Sequence, residues 1–284
     1  MASSSFFNRT YELNIRGDGI DISVDRLDVR FDVQFYTGPR TGSASITIIG
    51  LSYDTISILE PFTVASPGTL MTGKGIRVTL KAGYDDSNET IFDGLLYSVS
   101  ISEPPELAVS ISARGFRSIS DLERKNIVTE PDIKVTELAS SAFAVFGLQF
   151  NNQSHINNMK KMGSKVLDGD LVDFMRAIQR MSKWHLTYLP ADEVIVATDY
   201  IPREAYETIN KTSGLLGVPS VNVYSATICT WLRADTPAVS RMVTLESQLH
   251  PSANGNYWIN SIRYKGEYRG KSWYTMYNGI RLRS

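Results

Sequence analysis

Ile76-Arg77-Val78-Thr79-Leu80-Lys81-Ala82-Gly83-Tyr84, followed by Thr90-Ile91-Phe92-Asp93-Gly94, is the stretch on which the fold turns. Ile76, Val78, Leu80 and Ala82 recur at every second position, the period at which a strand presents side chains to one face. Asp85-Asp86-Ser87-Asn88 supplies turn residues, and Thr90-Ile91-Phe92 begins a return strand, so a β-hairpin is predicted. The same period continues on both sides. Upstream, Leu27, Val29, Phe31, Val33 and Phe35 alternate with Asp28, Arg30, Asp32 and Gln34, and Gly38-Pro39 breaks the chain. Ser45 to Gly50 is a second β-branched strand, and Ser52 is placed to N-cap a short helix reaching Leu59. Downstream, Leu95, Tyr97, Val99 and Ile101 alternate. Glu103-Pro104-Pro105-Glu106 turns the chain, and Leu107, Val109, Ile111 and Ala113 answer. Serial hairpins with one apolar face predict an antiparallel barrel or sandwich closing near residue 118.

The middle changes period. Val135, Leu138, Ala139, Ala142, Phe143 and Phe146 have helical spacing, with Gly147 where a C-cap belongs. Residues 151–166 are polar and read as a loop. Asp170 then N-caps a helix with the stripe Leu171, Phe174, Met175, Ile178 and Met181. Two strands follow, Trp184–Leu189 and Val194–Thr198, so residues 125–200 form a small α+β unit. The last stretch returns to β: Val221 and Val223, Ala226–Trp231, Met242–Leu245, Tyr257–Tyr264 and Trp273–Tyr277. Trp231, Tyr257, Trp258, Tyr264, Tyr268, Trp273, Tyr274 and Tyr277 gather there, as core and interface packing rather than a ligand platform.

Composition narrows the chemistry. The chain has 284 residues, 42% hydrophobic and 21% charged, and its 29 basic and 30 acidic residues leave a formal charge of −1. No net field draws it to nucleic acid or an anionic membrane. Cys229, the one cysteine, excludes an intrachain disulfide and lies in Ile228-Cys229-Thr230-Trp231, which reads as a buried strand with an inert thiol. The start lacks a signal-peptide pattern and no apolar run approaches a membrane span, so a soluble protein made in a reducing compartment is expected.

No motif supplies a reaction. Gly68-Thr69-Leu70-Met71-Thr72-Gly73-Lys74-Gly75 approaches a phosphate loop, but Gly75 replaces the hydroxyl residue and a strand, not a helix, follows. His155, His185 and His250 lack metal-ligand spacing. Asp85-Asp86 and Asp168/Asp170 fall where turns and caps need them, and Gly-x-Ser-x-Gly is absent. Arg263-Tyr264-Lys265-Gly266-Glu267-Tyr268-Arg269 interleaves cations with aromatics, but Glu267 and the lack of a matching patch favour a solvated hairpin over single-strand binding. Catalytic residues, cofactor ligands and metal ligands are therefore all expected to be none.

Three segments together resemble the hub proteins of tailed-phage baseplates. The first is Ala44-Ser45-Ile46-Thr47-Ile48-Ile49-Gly50-Leu51-Ser52 through Leu59. The second is the opening hairpin, with its V-x-L-x-A-G-Y and I-F-x-G pattern. The third is Ser213-Gly214-Leu215-Leu216-Gly217-Val218-Pro219, then Val243-Thr244-Leu245-Glu246-Ser247 and Gly255-Asn256-Tyr257-Trp258-Ile259. Gly169-Asp170-Leu171-Val172-Asp173-Phe174 and Trp184-His185-Leu186 fit the family's middle segment, so the likeness spans roughly residues 25–280.

The resemblance implies a mainly β fold with an α+β insertion: two tube-protein-like antiparallel β-barrel domains, at 1–120 and 206–284, joined by a helix-containing unit at 121–205. It implies a homotrimer whose ring adapts the sixfold tail tube, or a distal tube protein, above to the threefold central spike below. Baseplate wedge proteins are possible further partners, and genome DNA passes through the lumen without specific binding. The C-terminal aromatics are candidates for the ring surfaces. Such a protein is made in the host bacterial cytoplasm and resides in the virion, on family analogy in a contractile tail. Because the sequence stops at Ser284, spike and lysozyme domains are expected on separate proteins. The alternatives are the same role in a phage-derived contractile injection system, a cell-wall-degrading enzyme, or a glycan-binding tail-tip module.

Overall fold

The computed structural model describes residues 8–17, 19–37, 42–64, 75–85, 88–102, 107–116, 123–154, 161–164, 166–189, 193–199, 205–233, 239 and 241–282. The first part contains β1 (Arg9–Gly17), β2 (Ile20–Val24), β3 (Asp28–Tyr36), β4 (Ser43–Ile49), α1 (Tyr53–Leu59), α2 (Pro61–Val64), β5 (Arg77–Tyr84), β6 (Glu89–Ile101) and β7 (Ala108–Arg114). The middle contains β8 (Lys125–Val128), β9 (Ile133–Lys134), α3 (Val135–Ala144), β10 (Gln149–Asn152), β11 (Lys161–Met162), β12 (Val166–Gly169), α4 (Leu171–Ser182), β13 (His185–Leu189) and β14 (Val194–Thr198). The last part contains β15 (Ala205–Ile209), β16 (Ser220–Val221), β17 (Ser225–Trp231), β18 (Met242–Leu245), β19 (Gly255–Glu267) and β20 (Trp273–Arg281).

The chain is mainly β with a small α+β insertion, as the sequence pattern predicts. The two β parts do not stop at their own borders. β3 pairs antiparallel with β19, and this joint fuses them into one 13-stranded sheet in the order β16-β17-β20-β19-β3-β4-β7-β6-β5-β1-β2, with β18 on β19 and β15 on β18. The sheet curls back on itself at one end. Trp273 Nε1 donates to Gly83 O (3.3 Å), and Arg9 Nη1 donates to Glu267 O (3.0 Å) and Gly270 O (2.7 Å), drawing β1 and β5 over the β19–β20 hairpin.

Inside the curl lies one core. It takes Leu13 and Ile15 from β1, Val29, Phe31 and Val33 from β3, Ile46 and Ile48 from β4, and Tyr264 and Tyr277 from the last hairpin. Each fully buried Leu, Ile or Phe contributes about 1.5–3 kcal/mol, against about 0–1 kcal/mol for an exposed ion pair. Burial therefore decides the register: a slip of one residue would turn Ser45 and Thr47 inward and Ile46 and Ile48 out.

The opening hairpin forms as read, β5 against β6, though the second alternating set is its continuation and not a new strand. Between Leu96 and Ser98 a register shift lets Leu95 and Leu96 both lie buried. Ser52 Oγ accepts from Thr55 N (3.2 Å) and caps α1. The 103–106 turn and the point of closure near 118 fall outside the described residues.

The α+β unit has its own core. Val135, Leu138, Ala142 and Phe143 of α3 meet Leu171, Phe174, Met175 and Ile178 of α4, with Trp184, Leu186 and Ile195 beneath. Asp170 Oδ1 accepts from Asp173 N (2.9 Å), the expected cap, and Gly147 takes φ 70° just past α3. One expectation is corrected. Residues 151–166 contain strand: β10 continues to Asn152 parallel to β14, β11 pairs with β9, and β12 starts at Val166 against β8. Their polar side chains hid this, because two-residue ladders and edges need no apolar alternation.

Candidate functional site

Eight strands, β16, β17, β20, β19, β3, β4, β7 and β6, run antiparallel without a break, and their face turned away from the core is the candidate functional surface. The alternation that buries Val29, Phe31, Ile46 and Ile48 necessarily presents Arg30, Asp32, Ser45 and Thr47 on this side. Cross-strand partners line up into rows. One runs Glu267, Arg30, Thr47, Ser110 and Ser100; its neighbour runs Trp231, Tyr274, Lys265, Asp32, Ser45, Ser112 and Ser98. The β4–β7–β6 portion is mostly hydroxyl, and Thr47 Oγ1 lies 3.0 Å from Ser110 Oγ. Towards β17 the face carries Trp231, Tyr274, Cys229 and Met276.

Charge on this face is internally matched. Arg263 grips Asp32 as a fork: Nε donates to Oδ1 at 2.8 Å and Nη2 pairs with Oδ2, while Gln34 Nε2 adds a contact at 3.2 Å. Burial alone would raise the Asp32 carboxyl, but the Arg263 and Gln34 hydrogen bonds outweigh it and hold it below the usual range. At the β5 border Arg77 Nε donates to Asp93 Oδ1 (2.7 Å), and this bond holds the guanidinium charged. On β1, the Asn14 amide and Lys81 both donate to Glu12 and depress its pKa. Arg114 stands 4.9 Å over the Tyr97 ring. Such a surface offers hydroxyls and amides with few unmatched cations, so phosphates gain little counterion-release free energy on meeting it.

The sequence-marked residues are placed as follows. Gly68–Lys74 and His155 lie outside the described residues, and Gly75 leads into Ile76 and β5, a strand as expected. His185 is buried with its ring stacked on Trp258, centroids 4.6 Å apart, and burial pushes its pKa down to about 4. His250 Nδ1 lies 3.4 Å from Pro219 O. Asp168 pairs with Arg124 (2.6 Å), and Asp86 lies outside the described residues. Among the described residues no three His, Cys, Asp or Glu gather as a metal site, and no helix is long and apolar enough to cross a membrane.

Three readings are corrected. Cys229 is not in the core: Ala226, Ile228 and Thr230 take the core side of β17, leaving Cys229 half-buried opposite Met276 on the other face. The 263–269 run is not a solvated hairpin tip. Arg263 to Glu267 lie mid-sheet between β3 and β20, and Tyr264 points into the core. Of the C-terminal aromatics offered as interface, Tyr257, Trp258, Tyr264, Trp273 and Tyr277 are buried within the chain itself. The exposed apolar side chains there are others, Val218, Val223, Tyr224 and Leu249, in loops where no periodicity marks them.

The arrangement, a long antiparallel sheet with a small α+β insertion, is that of tail proteins. The chain is similar to the tail protein of Neisseria meningitidis MC58 (TM-score 0.64, 11% identity, 95% of this chain and 96% of that one). It is also similar to the 43 kDa tail protein of prophage MuSo2 from Shewanella oneidensis (TM-score 0.66, 9% identity, 95% and 96% covered). A third likeness is to the E. coli c3393 protein, a type VI secretion component described as similar to the T4 tail proteins gp27 and gp5 (TM-score 0.60, 10% identity, 95% and 77% covered). Among curated proteins none matches the sequence. The family Baseplate hub gp41 matches residues 13–279, and the chain belongs to it. A role in the hub of a phage tail, with other tail components as partners, follows from that membership.

Proposed function

We propose that three copies of this chain close into a ring in the tail baseplate of the virion, with the eight-strand polar face lining the channel. The ring joins the sixfold tail tube, or a distal tube protein, to the threefold central spike, and genome DNA passes through it during ejection. The observation that carries this reading is the matched charge of a continuous hydroxyl-rich face. Cations on it are tied to Asp32 and Asp93, so a polyanion can slide along it without being held. Each chain brings two β halves, and three copies thus set six around one axis. The separate core of the middle unit supports a division into 1–120, 121–205 and 206–284, with that unit outside the tube wall and free to meet wedge proteins.

The role is structural rather than catalytic. The carboxylates that might have served as acids hold the fold: Asp32 grips Arg263, Asp168 grips Arg124 and Asp170 caps α4. A second reading, the same ring in a contractile injection system, is favoured by the likeness to the type VI component. Gold-labelled antibody viewed on tailed particles tests the first reading. Label confined to the tail tip is expected; label missing from disrupted particles that retain their baseplates would overturn it.

A further inference from the structure

Two lengths of backbone at opposite ends of the eight-strand face are open. β6 has 13 residues, but β5 pairs with it only from Glu89 to Leu95 and β7 only from Leu95 to Ile101. Leu96 N still donates to Ile76 O (2.8 Å), and beyond it no strand among the described residues lies on the β5 side of Tyr97–Ile101. At the other end, Ser220–Val221 of β16 pairs with β17 on one side and, among the described residues, with no strand on the other.

Free edges in soluble proteins are blunted by charges or covering chain, because bare backbone donors and acceptors recruit other strands. These two edges are not blunted by charge. Neither Leu95–Ser102 nor Val218–Tyr224 contains an Asp, Glu, Lys or Arg. The bulge at Tyr97 sits at the junction with β5 and leaves the ladder to β7 regular from Ser98 onward. Beside β16 the apolar side chains Val218, Val223 and Tyr224 are 58%, 75% and 68% exposed.

Direction adds a constraint. Eight strands alternate from β16 to β6, an even number, so the two end strands run in opposite senses. A second copy placed head to tail therefore brings its β16 antiparallel to β6, and the alternation continues unbroken. We propose that these edges are the two halves of one contact, the β16 end of one copy adding to the Tyr97–Ile101 edge of the next. This rests on the ring reading and locates the seam in it. Backbone hydrogen bonds supply the attraction, and Val223 and Tyr224 pack against the neighbour's sheet. A heterologous contact of this kind closes into a ring when its rotation divides the circle.

The test is a crosslink in assembled tail particles. Ser100→Cys and Ser220→Cys are combined in a Cys229→Ser chain and treated with a short bis-maleimide, whose reach covers a diagonal cross-strand pair at roughly 7–8 Å as well as a direct one. The double variant should yield two-chain and three-chain species, and neither single-cysteine variant should. As a check free of substitutions, the amides of 98–101 and 220–221 in the unaltered protein should be protected from exchange in baseplates and exchange quickly in the dissociated chain. Label at the tail tip, with neither crosslinks nor protection, overturns the seam and leaves the hub. Absence of the protein from the tail tip overturns the hub reading and the seam with it.

Discussion

The α+β unit and the long sheet close their cores over very different lengths of chain. The unit's core runs from Val135 to Ala197, and its helices and strands meet their sequence neighbours. The sheet's core takes residues from Tyr11 to Tyr277, and across its central joint Asp32 and Arg263 stand 231 positions apart. The loop-closure entropy of the second arrangement is met only when β3 and β19 have found each other. A change inside the unit should therefore stay local, whereas a change at the β3–β19 joint should reach both β parts.

Phe174→Ala is the strongest way to break this contrast. Phe174 is 1% exposed and meets Phe146 edge-on with centroids 5.1 Å apart. The cavity left should cost about 3–5 kcal/mol. Amide exchange should quicken across Val135–Ala197 while β3 and β19 keep their protection. Equal acceleration everywhere would mean that unit and sheet unfold together, and the contrast would be one of topology only.

The same contrast explains what could be read from the sequence. Within the unit, the stripe Leu171, Phe174, Met175 and Ile178 and the cap Asp170 were legible, because helical period and capping are local facts. The hairpin β5–β6 was legible for the same reason. The fusion of the two β parts was not, since nothing in Val29-Arg30-Phe31 or Tyr264-Lys265-Gly266 names its distant partner. The polar face was half legible. Alternation assigned Ser45 and Thr47 to the side away from the core, but whether that side faced solvent, a lumen or another chain is decided by strands far off in sequence. Cys229 misled because Ile228 and Trp231 give an apolar context without a phase; only the pairing with β20 sets which residues turn inward.

His185 sits where the two regions touch, β13 of the unit against Trp258 of β19. Its ordinary pKa near 6.5 is pushed down to about 4 by burial. The unfolded chain therefore takes up this proton at higher pH than the folded one. Stability from this residue is complete above about 6.5, falls as pH drops through the interval, and is lower by about 3 kcal/mol near pH 4. His185→Phe keeps a ring on Trp258 and removes the titration. Its melting temperature should hold between pH 6.5 and 4.5 better than that of the unaltered protein. Parallel declines in the two proteins would show that the joint carries no such proton linkage.

Gly266→Ala should have the smallest effect and the widest spread. Gly266 lies in register between Phe31 on β3 and Trp273 on β20, whose rings meet edge-on at 5.3 Å across the space it leaves. A Cβ added there would stand 2.1 Å from Phe31 Cζ, so the ring must swing out of its contact with Trp273. Overpacking of this kind costs about 1–3 kcal/mol. Because the clash falls on the β3–β19 joint, exchange should quicken in β3, β4, β19 and β20 together, with Val135–Ala197 little changed. Phe31→Leu removes the ring that Cβ would strike, so the double variant should lose less stability than the two single losses added. Additive losses, or a loss confined to the last hairpin, would mean that the two β parts are held as separate bodies despite sharing a ladder, and that the joint is a contact between cores rather than the middle of one.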